Sequence, residues 1–133
     1  MGPAGGSGRS EFRDQASSHA QVVRVNLRCG SRVESVQLVL SSGSLPTHGG
    51  TGGSPLNVPL AANEYITALH GRAGSRIEQL EIRTNQQRTF TSGGTGGYRF
   101  AFDPPSGYQI VGFFGRSGPA VDAIGVIAQP RLP

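Results

Sequence analysis

Residues 115–126 read GRSGPAVDAIGV, and the one acidic residue in that stretch, Asp122, stands four positions after Gly118 among small and apolar neighbours. The stretch occurs twice more in altered form. CGSRVESVQLVL at 29–40 and AGSRIEQLEIRT at 73–84 align with SGPAVDAIGVIA at 117–128, their starts 44 residues apart. Each copy has an arginine just ahead of it (Arg28, Arg72, Arg116), then a glycine (Gly30, Gly74, Gly118), then an acidic residue four positions on (Glu34, Glu78, Asp122). Each then alternates apolar residues: Val36 and Leu38, Leu80 and Ile82, Ile124 and Val126.

A second motif keeps the same period. AGGSGR at 4–9, HGGTGG at 48–53 and SGGTGG at 92–97 place their double glycines at Gly5, Gly49 and Gly93, again 44 apart. Two independent motifs sharing one period make the chain three copies of one unit. The alternating runs RVNLR, RVESVQLVL, RIEQLEIRT and YQIVGFF, broken by Gly and Pro, predict strands, and no segment carries a sustained helical stripe. About four short strands fit each unit, about twelve in all. Units that cannot bury their apolar faces alone must share a core, so residues 1–133 are expected to form a single all-β domain of three Greek-key-like repeats with pseudo-threefold symmetry. In the first two complete units the double glycine follows the acidic loop by 19 residues, Gly30 to Gly49 and Gly74 to Gly93. Threefold closure therefore pairs Gly118 with Gly5, from the opposite end of the chain.

Composition narrows the function. A chain of 133 residues buries about two-thirds of its unfolded surface without staples. The single cysteine, Cys29, in an apolar-alternating run, excludes an internal disulfide and reads as a small buried hydrophobe. The 21 glycines are clustered and periodic, as ordered turns require. All twelve cations are Arg and the net charge is +4, a mildly cationic surface that does not by itself imply nucleic acid. His19, His48 and His70 lack metal-ligand spacing, and no nucleophile elbow, phosphate loop or paired carboxylates appear, so neither cofactor, metal nor catalysis is expected. No apolar segment is long enough to insert in a membrane, and no signal peptide opens the chain; a cytoplasmic location or release by a non-classical route is expected.

The GG-x-G pattern near the N-terminus, EYITALHGRAGSRIEQLEIRTN at 64–85 and GFFGRSGPAVDAIGV at 112–126 resemble the jacalin-related lectins over essentially the whole chain. The resemblance implies a β-prism I fold of three four-stranded Greek-key sheets, and a non-catalytic carbohydrate-binding protein whose site joins a GG loop to a GxxxD loop. Its partners would be glycans of mannose or glucose type, as free oligosaccharides or on glycoproteins. Galactose-binding members are associated with a cleaved chain and loop aromatics; GPAVD at 118–122 has no aromatic.

A sugar site needs a carboxylate to accept two O–H bonds and backbone N–H groups to donate to the same oxygens. The primary candidates are Asp122 as acceptor, the loop of Gly118, Pro119, Ala120 and Val121 around it, and Gly8 and Arg9 of the facing loop. Pro119 shapes that loop without donating; Ala120, Val121 and Asp122 donate through the backbone, and Ala120 and Val121 read ligand shape by van der Waals contact. Arg9 stands where mannose-binding members are expected to carry Gly. If φ is positive there, Arg costs roughly 1 kcal/mol relative to Gly. It also sets a guanidinium beside the ligand, so an interaction module for anionic, sulfated polysaccharide using Arg9 and neighbouring Arg is the alternative reading. The other pairs keep the glycine (Gly53 with Gly30 and Glu34, Gly97 with Gly74 and Glu78), but the longer Glu pushes its carboxylate into the space a sugar would take. These are expected to be weak secondary sites or vacant ones.

Plainer roles stand beside these. Asp122 could be an Asx-type turn former. Glu34 and Glu78 fit local ion pairs with Arg32 and Arg76, and Arg28, Arg72 and Arg116 fit loop carbonyls or carboxylates. Tyr65, Tyr98 and Tyr108 have no common place in the repeat and read as core or rim. One shallow site gives weak affinity, so a homodimer is expected to supply avidity.

Overall fold

The computed structural model describes residues 1–17 and 20–131, and those residues form thirteen strands and no helix. In chain order they are β1 (Ala4–Gly5), β2 (Ser10–Gln15), β3 (Val22–Cys29), β4 (Val33–Leu40), β5 (Gly43–Ser44), β6 (His48–Gly49) and β7 (Ser54–Pro59). These are followed by β8 (Ile66–Ala73), β9 (Ile77–Thr84), β10 (Thr89–Gly93), β11 (Tyr98–Phe102), β12 (Tyr108–Ser117) and β13 (Val121–Pro130).

Antiparallel pairing groups the strands into three sheets of one plan. In one the order is β7, β3, β4, β6; in the second β11, β8, β9, β10; in the third β2, β12, β13, β1. The last two touch through one residue pair, Ile110 with Ile66. Each plan is a Greek key, its fourth strand returning beside its first. In the third sheet the chain's two ends supply the halves: β1 and β2 flank the hairpin of β12 and β13. The sheets form the expected all-β prism with pseudo-threefold symmetry.

The period appears in local geometry. Register shifts fall at Arg28/Cys29, Arg72/Ala73 and Arg116/Ser117, so each long hairpin bulges just before its loop. The exception is β5. The position of Phe90, inside the continuous β10, is held in the first unit by Pro46, which has no N–H to offer. The edge strand there breaks into β5 and β6, which both pair with β4.

The core is layered by the repeat. Val33, Ile77 and Val121 form one set of equivalent buried positions, Val36, Leu80 and Ile124 a second, Leu38, Ile82 and Val126 a third. Each such side chain contributes roughly 1.5–3 kcal/mol by leaving water. Cys29 is buried among them, and burial raises its thiol pKa above the ordinary range.

All six glycine loops lie at one end of the prism. At the other end Glu64, whose side chain is fully buried, ties two connections together. Arg88 grips it by two bonds, Nη2 to Oε1 at 2.6 Å and Nε to Oε2 at 2.8 Å, while Thr84 Oγ1 and the Ala61 N–H donate at 2.6 and 2.8 Å. Chiefly through Arg88, the Glu64 carboxyl is lowered from an ordinary 4.5 to about 2. A lowered folded-state pKa stabilises the fold above the unfolded value, and that stability is lost as pH falls from 4.5 toward 2. Glu64→Gln is expected to be less stable than the parent at pH 7, with the gap shrinking by pH 3, as read by urea denaturation at both pH values.

Candidate functional site

Each acidic loop is a tight turn. The first glycine's N–H donates two residues ahead: Gly30 to the Arg32 carbonyl, Gly74 to that of Arg76, Gly118 to that of Ala120, at 2.9, 2.8 and 3.0 Å. Each GG loop then docks on one. Gly6, Gly50 and Gly94 donate at 2.8 Å to the backbone carbonyls of Asp122, Glu34 and Glu78. The double glycine is required by this approach. The first of each pair, Gly5, Gly49 and Gly93, has φ of 110, 119 and 112°. A Cβ on the second would collide with a carbonyl of the next unit's acidic loop: Ser75 for Gly6, Pro119 for Gly50, Ser31 for Gly94.

The arginines ahead of the loops clamp the far side. Arg28 donates to the Gly52 and Gly53 carbonyls, Arg72 to those of Gly96 and Gly97, Arg116 to those of Gly8 and Arg9, at 2.9 to 3.2 Å. Arg116 also holds Glu11 at 2.9 Å. They are loop-holding residues. The pairing of Gly118 with the N-terminal loop, reasoned from the 44-residue period, is present.

Within this shared frame the three pairs differ. A Cβ on Gly52 would lie 3.3 Å from the Glu34 carboxyl carbon, and one on Gly96 3.5 Å from that of Glu78, whereas Gly8 has nothing within 4 Å. The two glutamates fill the space beneath their loops, and the shorter Asp122 leaves its own open. The Asp122 side chain is only 7% exposed, and its Oδ1 lies 3.7 Å from Arg76 Nε. Its buried Oδ2 has no hydrogen-bond donor among the described residues. A buried carboxylate oxygen without a donor is costly.

Two sequence expectations change. Arg32 pairs with Glu34 at 3.4 Å as expected, but Arg76 reaches across to Asp122 and not to Glu78. The 73–78 loop lies against Gly6, which brings Arg76 beside the neighbouring loop pair; the equivalent Arg32, packed the same way against Gly94, keeps to its own Glu34. Ala120 and Val121 are 1% and 0% exposed, with Val121 in the core, so they cannot read a ligand's shape by side-chain contact. Gly118 and Pro119 remain at the surface, Pro119 with its carbonyl toward Gly50.

Arg9 has φ of 68°, matching 71 and 73° at Gly53 and Gly97, so it does occupy a left-handed position that favours glycine. Its side-chain stem lies across Gly118, where a Cβ would meet Arg9 Cγ and Cδ at 2.8 and 2.9 Å. Of the histidines, His48 Nε2 contacts Asp14 Oδ2 at 2.6 Å while its ring stacks on Phe12, and His70 Nε2 contacts Asp103 at 2.7 Å. His19 lies outside the described residues. Sequence reasoning missed Tyr98, whose hydroxyl accepts the Gly5 N–H at 3.2 Å. The signal was there: the equivalent positions in the other repeats are Ser10 and Ser54.

Comparison with known proteins places this geometry. A family model described as "Jacalin-like lectin domain" matches residues 1–127. The chain belongs to the jacalin-like lectin family. Among solved structures, this jacalin-like lectin is similar to wild-type Malaysian banana lectin, at 30% identity and a TM-score of 0.87 over 98% of this chain and 97% of that one. It is similar to a mannose-binding lectin from champedak, at 27% identity and 0.85 over 97% and 95%. It also resembles a mannose-specific jacalin-related lectin from Morus nigra solved with mannose, at 26% identity and 0.84 over 97% and 92%. No curated protein sequence matched. The jacalin-like β-prism is a non-catalytic lectin fold, in keeping with the absence of catalytic motifs from the sequence.

The clamp can be tested by itself. Arg116→Lys keeps the charge but loses the planar fork that spans two carbonyls. It is expected to lower stability by about 1 kcal/mol in urea denaturation.

Proposed function

We propose that this chain binds carbohydrates of mannose or glucose type at one primary site between the GG loop of residues 5–9 and the GxxxD loop of residues 118–122. The observation that carries this reading is that the buried Asp122 Oδ2 has no donor among the described residues, in the one loop pair whose acidic side chain does not crowd the facing glycine, Gly8. In this reading the Asp122 carboxylate accepts two vicinal hydroxyls, and backbone N–H groups at Gly8 and Arg9 donate to the same sugar oxygens. Gly118 and Pro119 border the ring, and the enclosed Ala120 and Val121 hold the turn in place. The champedak and Morus nigra structures, named for mannose, support the choice of sugar. The pairs built on Glu34 with Gly30 and Gly53, and on Glu78 with Gly74 and Gly97, are weak secondary sites because their own carboxylates fill them.

One shallow site of this kind gives roughly −4 to −6 kcal/mol, a Kd from about a millimolar to tens of micromolar. Avidity then calls for a homodimer, or for glycans presented in clusters. Arg9 is exposed and has no acidic partner among the described residues, which favours sulfated polysaccharide as a second reading. The two readings separate by salt, since charge-driven binding falls steeply with ionic strength and hydroxyl recognition changes little.

Isothermal titration with methyl α-mannoside checks both. The parent is expected to bind with similar affinity at low and high salt, and Asp122→Asn to lose at least about tenfold. Salt-sensitive binding of a heparin-type polymer, with no response to mannoside or glucoside, would overturn the neutral-sugar reading and leave Arg9 as the binding group.

A further inference from the structure

The proposed site is not built by the chain's two ends alone. The neighbouring sheet of β8 to β11 leans on it at three points. The Ser75 carbonyl abuts Gly6, Arg76 Nε lies 3.7 Å from Asp122 Oδ1, and the Tyr98 hydroxyl accepts the Gly5 N–H at 3.2 Å. Tyr98 is the first residue of β11 and pairs with Ala73, where the 73–78 loop begins, while Gly5 pairs with Ala123, next to Asp122. The tyrosine therefore stands at the loop-bearing end of the prism, beside the GG loop and the start of the 73–78 loop.

Its ring has the properties of a contact surface. Tyr98 is 53% exposed, the most of any aromatic side chain among the described residues. Its hydroxyl is tethered to a backbone N–H, which fixes the ring before any ligand arrives and lowers the entropy cost of binding to it. The edge role alone does not call for an aromatic ring, because the equivalent positions beside Gly49 and Gly93 carry the small Ser10 and Ser54. Tyrosine is present only beside the one site whose carboxylate leaves room for a sugar.

We infer that Tyr98 is a specificity-determining residue that packs against a second sugar ring of an oligosaccharide whose first ring sits at Asp122. The inference rests on the reading of Asp122 as the primary sugar site. A pyranose has an apolar C–H face, and an exposed, tethered phenol ring offers it a matching flat surface. The site then prefers oligosaccharides over single rings, and the preference comes from Tyr98 and not from the carboxylate.

The test compares methyl α-mannoside with an α-linked mannotriose by isothermal titration on the parent, Tyr98→Phe and Tyr98→Ser. Serine is the residue the other repeats carry, so the fold accommodates it, and a thermal melt of each variant checks this. The parent is expected to bind the triose more tightly than the monosaccharide. Tyr98→Ser should cut triose affinity roughly two- to tenfold and leave methyl α-mannoside within about twofold, while Tyr98→Phe, which keeps the ring, retains most of the triose preference. Equal losses for both ligands in Tyr98→Ser would mean that Tyr98 acts only by holding the Gly5 strand, and an unchanged triose affinity would mean that no second ring reaches it; either overturns the inference. Failure of the parent to bind any mannoside would instead remove the Asp122 site on which the inference stands.

Discussion

The loop-bearing end of the prism depends on one backbone hydrogen bond made three times, from the second glycine of each GG loop to the carbonyl of the acidic residue facing it, each at 2.8 Å. That bond fixes where the acidic side chain starts. It demands two glycines in succession, one for a left-handed backbone and one for closeness to the next unit's carbonyl. It also demands a partner from elsewhere in the sequence. For two loops the partner lies 16 residues back, and for the third it lies at the far end of the chain, which makes β1, β2 and the final hairpin one sheet.

Because the frame is the same at all three places, small side-chain differences decide what each can do. The frame sets the carbonyl, and the number of methylenes sets how far the carboxylate reaches. At Glu34 and Glu78 it reaches the underside of the GG loop; at Asp122 it stops short of Gly8, and its buried Oδ2 has no donor among the described residues. The arginine forks hold all three loops from outside with near-identical geometry, so looseness of one loop does not explain the difference. The asymmetry is completed by neighbours, since Arg76 and Tyr98 face the Asp122 loop where the equivalent positions elsewhere are Ala120 or Arg32, and Ser10 or Ser54.

Much of this was legible in the sequence because it is periodic. The strands from 33, 77 and 121, two of the three layers of core residues (those of Val36 and of Leu38) and the pairing of Gly118 with Gly5 all follow from a spacing of 44 and from alternation. The left-handed φ at Arg9 was legible for the same reason, from Gly53 and Gly97 at equivalent places. What was not legible is contact between units. Arg76 is close to Glu78 in sequence yet pairs with Asp122, while its counterpart Arg32 keeps to Glu34, and no one-dimensional pattern carries that difference. Ala120 and Val121 lie within a surface loop in sequence, but the turn tucks them inward, with Val121 at the same core level as Val33 and Ile77. The split of one edge strand at Pro46 required knowing that the segment pairs with β4.

We propose that one of three equivalent loop pairs, the one closed by the two chain ends, takes the ligand. The most direct measurement is an amide chemical-shift titration by two-dimensional NMR with methyl α-mannoside. The amides of residues 6–9, 118 and 120–122 are expected to shift together along one saturable curve while those of 50–53 and 94–97 stay in place. Shifts confined to the loops beside Glu34 or Glu78, with the Asp122 loop silent, would contradict it.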